Sequence, residues 1–234
     1  MTAAKAAKAA EAPAARRDTP PQAAPSAELR VCLSVENLQR QFAAYLGSPS
    51  RARGYPAHEG QHSLIIEVAP GLAIERVTDL ALRALPDIEP GILFVERQFG
   101  ILEIHNSSPE QLRTAGEAIL AGIGASATDQ LRPRTLYVDI IEDITDQHAV
   151  IVNRNREASM VLPGQSLLIY EMTPALFACV AANEAEKVAP ENTLVNVSMI
   201  GAAGRLYISG TTAGVRRARD RIAHVLDNIT GRDQ

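Results

Sequence analysis

The 234-residue chain has no tryptophan, and its aromatic fraction is only 4%. Platforms for single-stranded nucleic acid stack bases on aromatic side chains, so that class is disfavoured. Positive charge is not in excess either: 23 Lys and Arg face 27 Asp and Glu, for a net charge of −4. The basic footprint that phosphate backbones require is missing, and no nucleic-acid partner is expected. No apolar run approaches the roughly 20 residues of a membrane span, so no membrane partner is expected. Cysteine is scarce. Cys32 and Cys179 are far apart and no C-x-x-C pair exists, which argues against zinc knuckles and dithiol redox motifs. The first residues contain no apolar core of roughly 7–15 residues, so no secretory signal is expected. Two thiols then fit a reducing cytosol. The sequons at Asn106, Asn196 and Asn228 are read as chance matches.

What is present is a hydrophobic fraction of 46%, enough for a real core. Residues 1–28 are rich in Ala and Pro, with prolines clustered from Pro20 to Pro25. They are expected to form a disordered tail. Beyond the tail the chain repeats itself. SLIIEVAPGLAIERVTDLAL from Ser63 returns as SLLIYEMTPALFACVAANEA from Ser166. Pro70 pairs with Pro174, Gly100 with Gly204, Leu102 with Leu206 and Ile104 with Ile208, at an offset of 104. Upstream, ENLQRQFAAYLG from Glu36 matches EDITDQHAVIVN from Glu142 at an offset of 106. A repeat of this size decides the architecture before any local detail. The expected organisation is a first domain over 29–131 (copy one) and a second over 132–231 (copy two), with a seam at Leu131–Arg134.

Each copy predicts the same elements. Val31–Val35 and Leu136–Ile141 read as first strands, Phe42–Leu46 and Ala149–Asn153 as second strands, Leu64–Val68 and Leu167–Tyr170 as third strands. A helix starting at Pro70 or Pro174 follows. In copy one Leu72, Ile74, Val77 and Ala81 form its apolar face, and Glu75, Asp79 and Arg83 its polar stripe. Asn183 and Lys187 take the places of Asp79 and Arg83 in copy two. Two strands come next: Ile92–Val95 with Ile101–His105, and Leu194–Val197 with Leu206–Ser209. Ser108-Pro109-Glu110-Gln111 reads as a capping box with Pro at the first helical position. Leu112, Ala115, Ile119 and Ile123 give that helix its buried face, and Val215, Ala218, Ile222 and Leu226 do so in copy two. Gly122 and Gly124 read as stop signals. The predicted unit is β-β-β-α-β-β-α, an antiparallel sheet with helices on one face. The fold class is α+β.

Little of this carries chemistry. His58 and His62 are four apart but lie in a loop with Gly and Pro, and no third ligand stands out, so no metal is expected. AGIGA from Ala121 follows a helix rather than opening one, which disfavours a phosphate cradle. Glu142-Asp143 reads as a solvated pair. No cofactor and no enzyme activity are expected.

The conspicuous difference between the copies is the turn after the first helix and strand. Copy one has Glu96-Arg97-Gln98-Phe99-Gly100, bulky and charged. Copy two has Ile200-Gly201-Ala202-Ala203-Gly204, small and nearly bare. Taken alone, these are two unrelated surface hairpins, and Arg83 and Lys187 are ordinary solvated helix residues.

The stretches VAPGLAIERVTDLAL, FVERQFG, HAVIVNRNREASM and AANEAEK resemble the tandem-domain shell proteins of bacterial microcompartments, in the circularly permuted version of the ferredoxin-like shell domain. The nearest likeness is to the double-domain minor shell proteins of α-type carboxysomes, from about residue 30 to 230. The resemblance implies a homotrimer with six shell domains in a pseudohexameric ring, two trimers stacked face to face, and hexameric shell proteins as neighbours. It implies that residues 96–100 and 200–204 line a gated central pore for larger anionic metabolites, such as ribulose bisphosphate and phosphoglycerate in carbon fixation. It places Arg83 and Lys187, with Asp79 and Asn183 beside them, at tile edges. The implied location is the carboxysome shell in the bacterial cytoplasm. The competing expectation is a trimeric regulatory module that senses a small molecule.

Overall fold

The strand VCLSV buries Val31 and Val35 and leaves Ser34 exposed, and its surroundings explain why. The computed structural model describes residues 27–48, 54–96, 98–199 and 201–234. Residues 1–26 of the expected tail lie outside the described residues, and a strand has already begun at Glu28. In chain order the elements are β1 (Glu28–Val35), α1 (Arg40–Leu46), β2 (His62–Ala69), α2 (Ala73–Ala84), β3 (Glu89–Glu96), β4 (Phe99–Asn106) and α3 (Pro109–Ile123), followed by a 3-10 turn (Ala127–Asp129). Copy two repeats them as β5 (Arg134–Ile141), α4 (Asp146–Arg154), β6 (Ser166–Thr173), α5 (Phe177–Val188), β7 (Thr193–Ser198), β8 (Gly204–Gly210) and α6 (Thr212–Asp227). Each copy holds a four-stranded antiparallel sheet, ordered β1-β2-β4-β3 or β5-β6-β8-β7. The α+β class stands.

The expected second strands are helices. Phe42, Ala43, Tyr45 and Leu46 are the buried residues of α1, a spacing that suits one helical face. Residues 149–153 lie within α4, whose first turn is capped by the Thr145 hydroxyl accepting from the His148 N–H. Short runs rich in Ala and Val do not reveal their period, and packing decides them. The unit is therefore β-α-β-α-β-β-α.

Other boundaries shift for local reasons. Pro70 and Pro174 precede helices that begin three residues later, and each follows a cis peptide bond. Leu72 is not part of the buried face; it is 73% exposed at the N-cap. The Ser108 hydroxyl does accept from the Gln111 N–H, but the Ser108 N–H donates to Asn106 Oδ1, so Gln111 does not complete the box. Helix α3 runs through Gly122 and stops at Gly124, whose φ of 70° provides the left-handed cap.

Alternation along β2 sends Leu64, Ile66 and Val68 toward α2 and α3, where they join Ile74, Val77, Leu112 and Ile119. Ile65 on β2 and Ile101 on β4 face the other way. There they meet Phe42, Tyr45 and the α5 residues Cys179 and Ala182 in one continuous core. Copy two thus buries its first long helix against the back of the copy-one sheet.

Candidate functional site: two turns and a copy-to-copy junction

The charged turn closes the β3–β4 hairpin. Glu96 pairs with Phe99, and Val95 with Gly100. Arg97 lies outside the described residues; Gln98 is exposed between strand ends. A Cβ on Gly100 would stand 2.2 Å from the Gly71 carbonyl oxygen, so the hairpin root packs backbone against backbone on the start of α2. The second turn has the same root: a Cβ on Gly204 would stand 2.2 Å from the Ala175 carbonyl oxygen. Ile200 lies outside the described residues. Gly201 takes φ +96°, Ala202 accepts a hydrogen bond from the Thr173 hydroxyl at 3.0 Å, and Ala203 leads into β8.

Two groups beside the charged turn escaped the sequence reading. Arg30 reaches the buried Glu67 carboxylate at 2.6 Å and lies 3.8 Å over the Phe99 ring. An acid inside LIIEVA was the available signal, but its partner sits on another strand. The chain end escaped as well. Gln234 Nε2 donates to the carbonyls of Arg132 and Thr173, and the Arg232 N–H donates to the Gln130 carbonyl. The last residues therefore strap the seam to the strand that ends beside the second turn.

The four expected edge residues separate. Arg83 is exposed and donates to Asp79 at 2.8 Å, while Arg76 reaches the same carboxylate at 3.3 Å. The hydrogen bond from Arg83 holds the Asp79 carboxyl below its ordinary range. Lys187 is partly covered and pairs with Glu184, beside a cavity of about 320 Å³ lined by both copies. Asn183 is not an edge residue. It is fully buried, accepts from the Gln39 N–H at 2.8 Å and donates to the Glu36 carbonyl at 3.3 Å.

Asn183 belongs to a junction inside the chain. Glu186 of α5 accepts from the N–H groups of Gln41 and Phe42 and satisfies the free amides at the start of α1. The Gln41 side chain donates to the Asn192 carbonyl and accepts from the Leu194 N–H, both at 2.8 Å. The Tyr45 hydroxyl donates to the Val197 carbonyl. The short helix α1, expected as a strand, is therefore held by the other copy.

Among the described residues no cluster of His, Cys, Asp and Glu could hold a metal ion. His62 Nδ1 accepts from the Asn37 N–H at 3.3 Å, and His105 is buried beside Glu103. Burial pushes the Cys32 thiol up to about 11 and the fully buried Cys179 higher still, so neither is a ready nucleophile. No helix among the described residues is long and apolar enough to cross a membrane.

A family model described as the CsoS1D N-terminal domain matches residues 29–129. The carboxysome shell protein CcmP of Synechococcus elongatus is 39% identical over 206 residues, covering 88% of this chain and 95% of its own. The carboxysome shell protein CsoS1D of Hydrogenovibrio crunogenus is 38% identical, over 88% and 98%. The double ringed trimeric shell protein MSM0271 from the RMM microcompartment is 68% identical, with a TM-score of 0.86 over 89% of this chain and 100% of its own. The fused permuted hexameric shell protein MSM0275 from the same compartment is 44% identical, with a TM-score of 0.82 over 87% and 100%. These relatives are structural proteins and not enzymes. On this likeness over nearly the whole folded length, the chain belongs to the family of tandem-domain microcompartment shell proteins represented by the carboxysome proteins CsoS1D and CcmP.

Proposed function

We propose that three copies of this chain close into a pseudohexameric shell tile, with residues 96–100 and 200–204 around a central pore. The carrying observation is a pair of unfilled faces that repeat the two halves of the internal junction. In copy two, Leu176 and Met199 are buried at the junction; their copy-one counterparts Leu72 and Val95 are 73% and 38% exposed. In copy one, Tyr45 is 2% exposed; its copy-two counterpart Ile151 is 57% exposed. Ile151 also lines an open cavity of about 310 Å³ with Ile169 and Tyr207. The free α2 face of one chain fits the free α4 face of the next by the geometry already used within the chain. Such a head-to-tail contact makes a ring when its rotation closes. Asp79, which stands where Asn183 stands, would then accept from the Thr145 N–H of the next chain.

In that ring three charged turns and three small ones face one axis. Glutamates brought within about 4 Å of one another repel by on the order of 4 kcal/mol per pair at an effective dielectric near 20. A closed ring therefore requires Arg97 to compensate Glu96, and an outward swing solvates both charges. Two compensated states make a gate. Guanidinium pairs with phosphate or carboxylate in a bidentate way, so an anionic metabolite biases the choice. In a carboxysome the cargo would be ribulose bisphosphate inward and phosphoglycerate outward. The 68% identity to a protein of the RMM microcompartment favours a second reading, in which the same tile serves a shell with different cargo. The double ring of that relative supports stacking of two trimers. Arg83 and Lys187 are assigned to the rim of each junction, where they meet a neighbouring tile.

The test is Arg97→Ala in the purified trimer. It is expected to favour the open ring in cryo-EM and to weaken phosphate occupancy at the axis. A ring that stays closed with Glu96 converged overturns the gate. Arg83→Ala is expected to impair layers and leave trimers intact. A monomer in sizing experiments on the native chain removes the tile altogether.

A further inference from the structure

The charged turn has a mount that its counterpart lacks. Arg30 sits at the bulge of β1, between Leu29 and Val31. Its Nε donates to Glu67 Oε1 on β2, and both side chains are largely buried. The face of the same guanidinium covers the ring of Phe99, the residue that opens β4 opposite Glu96. A guanidinium can do both at once, because it donates through its edge and stacks through its face. Burial raises the Glu67 carboxyl and the Arg30 hydrogen bond opposes that rise. Glu67 Oε2 has no hydrogen-bond partner among the described residues, so the carboxylate depends on this arginine. Copy two carries Leu136 in place of Arg30 and Ala203 in place of Phe99. Its Glu171 turns instead to Arg205 on β8, at 2.8 Å in a more open setting.

We propose that Arg30 is the positioning residue of the gate: held by Glu67, it fixes Phe99 and so sets where Glu96 and Gln98 project into the channel. This rests on the pore reading above. Gly100, packed on Gly71, anchors the hairpin backbone, and Arg30 anchors its first side chain. The Phe99 side chain has this anchor in copy one; in copy two the Thr173 hydroxyl holds the Ala202 carbonyl instead.

The experiment is hydrogen–deuterium exchange and cryo-EM on the full-length trimer. Arg30→Lys keeps a cation for Glu67 and loses the flat contact with Phe99. Exchange at Gln98–Gly100 is expected to rise about tenfold, and the turn to spread over several positions. Phe99→Leu should do the same, and Phe99→Tyr should behave as the native chain. Unchanged exchange in Arg30→Lys overturns the proposal, as does a rise that extends through β2 and α3. Arg97→Ala separates the two ideas. If it leaves the pore unchanged while Arg30→Lys loosens the turn, the gate fails and the mount stands. If it opens the pore while Arg30→Lys changes nothing, the mount alone fails.

Discussion

Ile65 and Ile169 occupy the same place on the two sheets and face away from their own helices. Ile65 is sealed by α1 and by α5 of the other copy; Ile169 lines an open cavity beside α4. One sequence unit thus appears twice, once with its neighbour in place and once without. The covered copy shows what the uncovered one needs: an apolar helix face, and acceptors for the amides at the start of the short helix. The turns differ in the opposite sense. Their backbone roots are alike, and what rests on the roots is not.

The largest effect expected from this comparison is on assembly. Ile151→Asp places a charge in the face that matches Tyr45 and should convert trimers to monomers at micromolar concentration, a loss of at least about hundredfold in association. Mass photometry reads this directly, and persistent trimers would show that the α4 face is not the ring junction. Next come the shared roots. Gly100→Ala and Gly204→Ala should each destabilise the chain by about 1–3 kcal/mol in thermal or denaturant unfolding, because a methyl group meets a fixed carbonyl. Unequal losses would break the equivalence of the two roots. Glu186→Ala removes the acceptor for the α1 amides and should cost about 1–2 kcal/mol. Its counterpart Leu82→Ala should leave the monomer within about 0.5 kcal/mol and weaken the trimer instead. The smallest effect is in pH dependence. Burial would raise the Glu184 carboxyl, but hydrogen bonds from Lys187 and Arg221 outweigh it and hold it below the ordinary range. Its contribution is present above the unfolded value and is lost as pH falls through the folded one. Glu184→Gln should therefore be less stable than the native chain near neutrality, with the two curves converging in acid.

Much of the fold was legible because the repeat supplied two readings of each element. Strands β2 and β4 are apolar runs of strand length, rich in β-branched residues and buried on both faces, and Ser108 and Gly124 mark the ends of α3 in local chemistry. Helices α1 and α4 were read as strands because seven or nine residues rich in Ala and Val carry too little period to tell the two apart. Leu72 was read as buried because its spacing fits the apolar face of the helix, yet it stands at the N-cap and is exposed. Asn183 was read as an edge residue because its position matches Asp79, and sequence position does not show that Asn183 is buried against Gln39 and Glu36 while Asp79 faces Arg83 at the surface. The turns stood out through their difference, yet Arg30 did not, since its role depends on two other strands.

The sequence by itself determined the duplication, the α+β class, the absence of a catalytic set and the asymmetry between Glu96-Arg97 and Gly201-Ala202. These follow from composition, spacing and turn chemistry, which act over a few residues. Tertiary structure decided the rest: that α1 is a helix, that Asn183 is interior, and that Phe99 rests on Arg30. Each of these depends on which distant groups satisfy a buried amide, carboxylate or ring, and those partners are chosen only when the two copies pack together.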